Sequence, residues 1–483
     1  GTGRASRRRS GGGSSVAVDA AASALRSADQ LTPRLGRALV ALAWRSAEAC
    51  AAGRGSRSKR ARKWESEIEG PLLSSICAGK DPRQRHGQKR RTSAAATATP
   101  GAGDGAAQAL HRRGPESTGD LWASRGVNLG GWLVPERWMC KSLFGQTRCH
   151  DVWTLCKRKL ALEGPAATAK MMSRHHANFI TRRDLVRVRE DYRLNAVRLP
   201  LGYWALPEAG MDAGPMAPAA ASASRALDRA VRWAGELGLR VLLELHSVPG
   251  FQSGMQSGGC HDLDWSYERW DREATLTVIA ALARRFAGNP AIAGICVLNE
   301  PDRFIPNAIL AEFCAKAYHI VRQECGPLVT VVLPLFQRHF LGHMTQFREP
   351  LFKNVVFDVH MYQCFGDCWQ RLKLKDHLDH AREGTGHMVS VCDVRKQGCT
   401  AIVGEWSLQL PDWMPWWSVA CKFAKLTKRE RHEVLRQFGE LQAKVWAGPG
   451  SAGWFFWTLK VDSEEPCFDF RTCVARGWLQ PST

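Results

Sequence analysis

Two carboxylates carry the most chemistry in this 483-residue chain: Glu300 in the run LNEP and Glu405 in the run VGEW. Each closes a short apolar run that reads as a buried strand, and polar residues close the neighbouring runs. A pair of glutamates facing each other across a cleft suits cleavage of a glycosidic bond. One protonates the leaving oxygen while the other attacks the anomeric carbon, provided the carboxyls stand about 5–5.5 Å apart. Asn299, beside Glu300, can donate to a sugar 2-hydroxyl. Arg198 and Tyr362 can hold a nucleophilic carboxylate ionised by charge and hydrogen bonding. His246 and His360 bring rings with a nitrogen on either side, useful against hydroxyls or a carboxylate. Trp457 offers a flat apolar plane for a sugar ring. The plainer alternative makes each of these a satisfied structural group, with the glutamates merely ion-paired at strand ends.

Short apolar runs and longer amphipathic stretches alternate through residues 119–483. The short runs are RGVNLGG from Arg125, NAVRLPL from Asn195, VLLELHS from Val241, AGICVLNEP from Ala293, VTVVLPL from Val329, VVFDVHMY from Val355, AIVGEWS from Ala401 and GWFFWTLK from Gly453. They are rich in β-branched and aromatic residues and read as strands. Between them, stretches such as SRALDRAVRWAGELG, DREATLTVIAALARRFAG and PNAILAEFCAKAYHIVRQECG read as helices. A repeated strand–helix unit implies parallel strands with right-handed crossovers, and eight of them close a (β/α)8 TIM barrel. A doubly wound open sheet is the alternative, but no GxGxxG or P-loop follows any strand. Arg198, His246, Asn299, Glu300, His360, Tyr362, Glu405 and Trp457 are expected at or just past the C-terminal ends of their strands, where a barrel collects catalytic groups.

These segments also resemble the family 5 glycoside hydrolases, and within them the exo-β-1,3-glucanase-like branch of fungi and plants. RGVNLGGWLVPERWM, HHANFITRRDLVRVREDYRLNAVRLPLGYWAL, LHSVPGFQSG, LNEP, VHMYQCF, GEW and GWFFWTLK follow that branch's motifs in order, from about Ser124 to Leu479. The resemblance implies a retaining β-glucosidase-type mechanism on a TIM barrel with neither metal nor organic cofactor. Glu300 would be the acid/base and Glu405 the nucleophile. Arg198, His246, Asn299, His360, Tyr362 and Trp457 would line the subsite of the sugar being cleaved. Glu136 would hydrogen-bond a hydroxyl there, and Phe365 would help clamp the next sugar. Departures from the pattern bear on specificity: Glu244 stands for the usual Asp of the third strand, Ser247 for Gly or Ala, and Met255 for an aromatic partner of Phe365. The expected substrate is a β-1,3-glucan cut from its non-reducing end. Another β-linked glycan on the same machinery is the second reading, and a carbohydrate-binding pseudoenzyme the third.

Composition sets the remaining bounds. The chain carries 19 Trp and 18 Phe and no run of about 18 apolar residues, which argues against wholesale disorder and against a spanning helix. Residues 1–118 hold a net charge of +13 out of +21 in Arg clusters set among Ala, Gly and Ser. They read as a solvated, disordered basic tail, with the hydrolase domain at 119–483. No aromatic residues interleave those clusters, so no nucleic acid is needed for activity. None of the 16 Cys shows a zinc spacing. Loop cysteines, among them Cys364, Cys368, Cys467 and Cys473, suit an oxidising compartment, hence an expected extracellular or cell-surface monomer. Cys296 reads as a small core residue.

Overall fold

The computed structural model describes residues 121–336, 344–386, 391–411, 420–449 and 451–481. The basic tail assigned to residues 1–118 lies outside them. Eight parallel strands close a barrel in sequential order: β1 Ser124–Asn128, β2 Ala196–Gly202, β3 Arg240–Ser247, β4 Ile292–Cys296, β5 Thr330–Pro334, β6 Val355–Met361, β7 Ala401–Trp406 and β8 Ser451–Phe456, with β8 paired back to β1. All eight fall on the runs read as strands, and the fold is the expected TIM barrel. Their β-branched composition suits strands covered on both faces.

Helices α1 Val152–Asn178, α2 Arg182–Glu190, α3 Ala217–Glu236, α4 Arg272–Arg285, α5 Asn307–Cys325, α6 Leu374–Glu383 and α7 Lys428–Trp446 follow the strands in turn. Side-chain caps start several of them: Asp151 accepts from the Thr154 amide, Asp271 from the Ala274 amide, and Thr427 from the Glu430 amide. Cys296 is buried inside the barrel, whereas Cys368 and Cys473, expected in loops, sit in the short helices Asp367–Gln370 and Phe470–Ala475. None of the described helices is long and apolar enough to cross a membrane.

Inside the barrel the side chains climb in layers. The lower layer is apolar: Leu121, Ala196, Leu242, Ala293, Val332, Val356, Ile402, Ala452 and Phe455 form one buried cluster. Two residues further along, the inward positions turn polar, because side chains of the same face recur every second residue. Leu242 is followed by Glu244 and His246, Val356 by Asp358 and His360, and Ala196 by Arg198. The apolar floor excludes water, so each charge above it needs a partner.

The loop after β1 is fastened from below by α1. Trp132 Nε1 donates to the His176 carbonyl at 3.0 Å, and His175 Nε2 lies 2.9 Å from the Gly131 carbonyl. Burial pushes His175 down to about 4 and His176 down to about 3, and His377 on α6 is likewise pushed down to about 4. The folded chain keeps these rings neutral, while the unfolded chain protonates them near 6.5. Between those values the unfolded state binds more protons, so stability falls as pH falls. We expect thermal midpoints to drop steadily from pH 6.5 toward 4, with roughly 3 kcal/mol lost per ring by pH 4. Replacing His176 by Gln should flatten that part of a melting-versus-pH series.

Candidate active site

At the centre of the barrel mouth, Arg198 is fully buried. Its Nη1 donates to Asn128 Oδ1 at 2.9 Å and to Glu405 Oε1 at 2.9 Å, and its Nη2 donates to Asn299 Oδ1 at 3.1 Å and Asp358 Oδ2 at 3.2 Å. Glu244 Oε2 adds a third carboxylate 3.7 Å from Nη1. A planar fork of five N–H donors is the side chain able to bind so many acceptors at once. The expectation that Arg198 stands at a strand end needs correcting. It is the third residue of β2, paired in register with Asn128 and Leu242, and its long stem carries the guanidinium up to the mouth.

The other predicted residues do lie at strand ends. Glu405 is the penultimate residue of β7 and His360 that of β6, while Tyr362, Trp457, Asn299 and Glu300 lie just beyond their strands. Tyr362 donates its hydroxyl to Glu405 Oε2 at 2.8 Å. His360 Nδ1 stands 2.8 Å from Glu300 Oε1 and 3.4 Å from Glu405 Oε2, so the ring bridges the two glutamates. Asn299 leaves its Nδ2 without a protein partner after its Oδ1 has accepted from Arg198. His246 stacks on Trp457 with centroids 5.6 Å apart and planes within 10°. Glu136, buried in the loop after β1, accepts from Trp138 Nε1 at 3.1 Å and shares the field of His246, Glu300 and Glu405. Phe365 lies at the rim, 54% exposed, edge-on to Tyr362.

A shift of register brings Glu405 into this group. Val359 pairs with Val403, but His360 pairs with Glu405, so β7 carries one extra residue at its end. Bulges of this kind re-aim side chains next to active sites. Gly404, the extra residue, donates its amide to Asp358 Oδ1 at 2.9 Å, and a Cβ there would come within 2.0 Å of that oxygen.

Burial opposes charge throughout the cluster, and the partners decide the outcome. Burial would lower His360, yet the carboxylates of Glu405 and Asp358 lift it well above the usual histidine value. Burial is likewise overcome at His246, which Glu244 raises from 2.8 Å. Burial pushes Glu405 up, against the pull of His360 and Arg198. At Glu300 burial is outweighed by the hydrogen bond and charge of His360, and its carboxyl sits below the ordinary value. Glu136, with little to offset its burial, is pushed up to about 7. His360 is thus pushed up and Glu300 down across a contact of 2.8 Å. Such a group titrates as a unit.

Among the described residues, Glu300, His360 and Glu405 are the group whose ligand atoms converge, all within 4.8 Å of one another. Arg198 and Tyr362 each donate to one oxygen of Glu405.

Asp358, Glu244, Asn128 and Ser257 belong to the site although their types and spacing did not single them out as binding residues. Asp358–His360 and Glu244–His246 share one signal, a carboxylate two residues before a strand-end histidine on the same face. Asn128 donates from Nδ2 to the Gly404 carbonyl at 2.8 Å and so supports β7 from β1. Ser257 donates to Glu300 Oε2 at 3.0 Å from a loop that carries no such signal. Gly404→Ala is expected to displace Asp358 and cost about 1–3 kcal/mol, read as a lower thermal midpoint together with weaker turnover.

Comparison with known proteins accords with this geometry. Residues 161–444 match the model of the family described as Cellulase (glycosyl hydrolase family 5). "Glucan 1,3-beta-glucosidase" of Yarrowia lipolytica is 29% identical over 73% of this chain and 87% of its own length. "Probable glucan 1,3-beta-glucosidase A" of Aspergillus niger is 30% identical over 76% of this chain and 90% of its own. Among solved structures, rutinosidase from Aspergillus niger covers 74% of this chain and 99% of its own at 17% identity and a TM-score of 0.56, a likeness of fold. With more than half of its length matched by the family model and relatives aligned along most of theirs, the chain belongs to glycosyl hydrolase family 5 and is an O-glycosyl hydrolase.

Proposed function

We propose that the chain is a retaining exo-glucosidase of β-1,3-glucan, with Glu300 as acid/base and Glu405 as nucleophile. The observation that carries the reading is the approach of the two glutamates, whose oxygens come within 4.8 Å around His360. An inverting enzyme needs roughly 6.5–9.5 Å between its carboxyls to seat a water, and a retaining one about 5–5.5 Å. The names of the relatives support the 1,3-linkage, since two aligned over most of their length are called glucan 1,3-beta-glucosidases.

The residues divide the reaction as follows. His360 passes its proton from Nδ1 to Glu300 Oε1 across 2.8 Å. Glu300 gives that proton to the glycosidic oxygen as the C1–O bond breaks, and its electron pair leaves with the departing sugar. The Glu405 carboxylate attacks C1 from the opposite face and forms a glycosyl ester, while Arg198 and Tyr362 fix both its oxygens beforehand. Glu300, now ionised, takes a proton from water and returns it to His360 Nδ1. The hydroxide thus generated attacks C1, the ester bond breaks, and Glu405 returns to the carboxylate. Asn299 Nδ2 and Glu136 supply hydrogen bonds to the sugar, and the Trp457–His246 stack supplies a flat wall. Phe365 at the rim serves the neighbouring sugar. Every one of these groups comes from a single barrel, which suits a monomer acting without nucleic acid. A polymeric glucan substrate suits an extracellular or cell-surface location.

Glu405→Gln should lower turnover by about 10³-fold or more, because no glycosyl-enzyme can form. Azide should revive Glu405→Gly and yield a glycosyl azide of inverted anomeric configuration; a product of retained configuration would move the nucleophile elsewhere. Sugar release from laminarin, mixed-linkage glucan, carboxymethyl cellulose and mannan, with products resolved by size, tests the substrate. Glucose alone from laminarin is the expected result. Oligosaccharides, or release from another polymer only, would keep the two glutamates and change the substrate.

A further inference from the structure

Glu300 stands outside the hydrogen-bond ladder of β4, and its backbone adopts φ 36°, in the left-handed region that a residue with a side chain seldom occupies. Its carboxyl position is therefore set by contacts of the side chain. One oxygen, Oε1, lies 2.8 Å from His360 Nδ1, and the other, Oε2, accepts the Ser257 hydroxyl at 3.0 Å. These partners differ in kind. A protonated imidazole only donates, whereas a hydroxyl donates or accepts according to how its O–H is turned.

That difference matters to a group that alternates between acid and base, the role proposed above for Glu300 and the reading on which this inference rests. We propose that Ser257 is a positioning residue that keeps the Glu300 carboxyl aimed in both of its protonation states. Towards ionised Glu300 the hydroxyl donates to Oε2. When Glu300 carries the proton received from His360 on Oε1, the hydroxyl still holds Oε2. No heavy atom moves between the two states, so the carboxyl stays in line with the glycosidic oxygen throughout the cycle.

The loop is built to hold that hydroxyl in place. Ser257 sits in the turn Gln256–Gly258, closed by the Gly258 amide to the Met255 carbonyl at 3.0 Å and the Gly259 amide to the Gln256 carbonyl at 2.9 Å. Gly259 has φ 93°, and a Cβ there would come within 2.7 Å of Ser247 Oγ, so only glycine lets the turn seat so deeply. The Trp153 amide donates to the Gly259 carbonyl at 3.3 Å, and the His261 amide to Asp151 Oδ2 at 3.0 Å. Asp151 is bridged in turn to Glu136. The turn is thereby clamped to the loop after β1.

The test measures kcat/KM against pH for the wild type, Ser257→Ala, Ser257→Thr and Glu300→Ala on two substrates: laminaribiose, whose sugar leaving group needs a proton, and 2,4-dinitrophenyl β-glucoside, whose phenolate does not. Ser257→Ala should lose about fivefold on laminaribiose, the worth of one hydrogen bond, and keep its rate on the aryl glucoside. Its basic limb should move to higher pH, because ionised Glu300 has lost a donor, and Ser257→Thr should restore both rate and limb. An unmoved limb, or an equal fall on both substrates, overturns the role of Ser257. Glu300→Ala keeps the two questions apart. If it loses laminaribiose but spares the aryl glucoside, the acid/base assignment stands and the Ser257 result is read on its own. If it loses both alike, the assignment of Glu300 fails and takes this inference with it.

Discussion

One buried cation organises the site. Arg198 is closed off from solvent over an apolar floor and faces Glu244, Asp358 and Glu405. Neither side of that arrangement survives alone. An unpaired guanidinium in such a place costs several kcal/mol, and so does each uncompensated carboxylate. Together they satisfy one another, and the geometry of the fork then dictates where each carboxylate stands. The nucleophile proposed above is held by the same guanidinium that neutralises the structural acids, with Tyr362 and His360 completing its surroundings.

The barrel supplies that cation with its company through a period of two. Inward side chains on β3 run Leu242, Glu244, His246 and on β6 run Val356, Asp358, His360. Each carboxylate thus lies one layer below its histidine, Glu244 at 2.8 Å and Asp358 at 3.5 Å. On β7 the period is broken by Gly404, and the break turns Glu405 toward His360. Strand geometry alone would have pointed Glu405 outward from its place after Gly404. The bulge is what converts a strand-end glutamate into a partner of the histidine.

Much of this was legible in the residues. The eight strands and their closure followed from β-branched runs alternating with amphipathic stretches, since each pattern carries its own period. The strand-end polar residues pointed to one face for the same reason. Arg198 stands lower on its strand than its spacing suggests, because residue spacing does not reveal that a long side chain climbs from mid-strand. Asp358 and Asn128 were hidden by their setting, a lone polar residue within an apolar strand being indistinguishable from a satisfied core group. Ser257 left no trace, because its contact with Glu300 depends on a turn whose path is set by tertiary packing between loops. Helix boundaries moved too: α3 begins at Ala217, a turn or more before the amphipathic stretch that announced it.

The loops divide the cleft into a tight side and an open one. On the tight side, Glu136, Asp151 and the turn around Ser257 are tied into one another and, through Trp132 and His175, to the end of α1. The contacts proposed for the sugar being cleaved fall here, and rigidity would serve them, because an acid 1 Å out of place loses much of its effect. On the open side, Phe365 and Met255 stand 54% and 58% exposed at the rim. Neither side chain is polar, so nothing there demands one hydroxyl pattern of the departing group. An apolar rim discriminates weakly by comparison with buried polar groups left unpaired by a wrong ligand. Selectivity should therefore be strict for the unit seated beside Glu136, Asn299 and His246 in the proposed reaction, and lenient for what is attached to it.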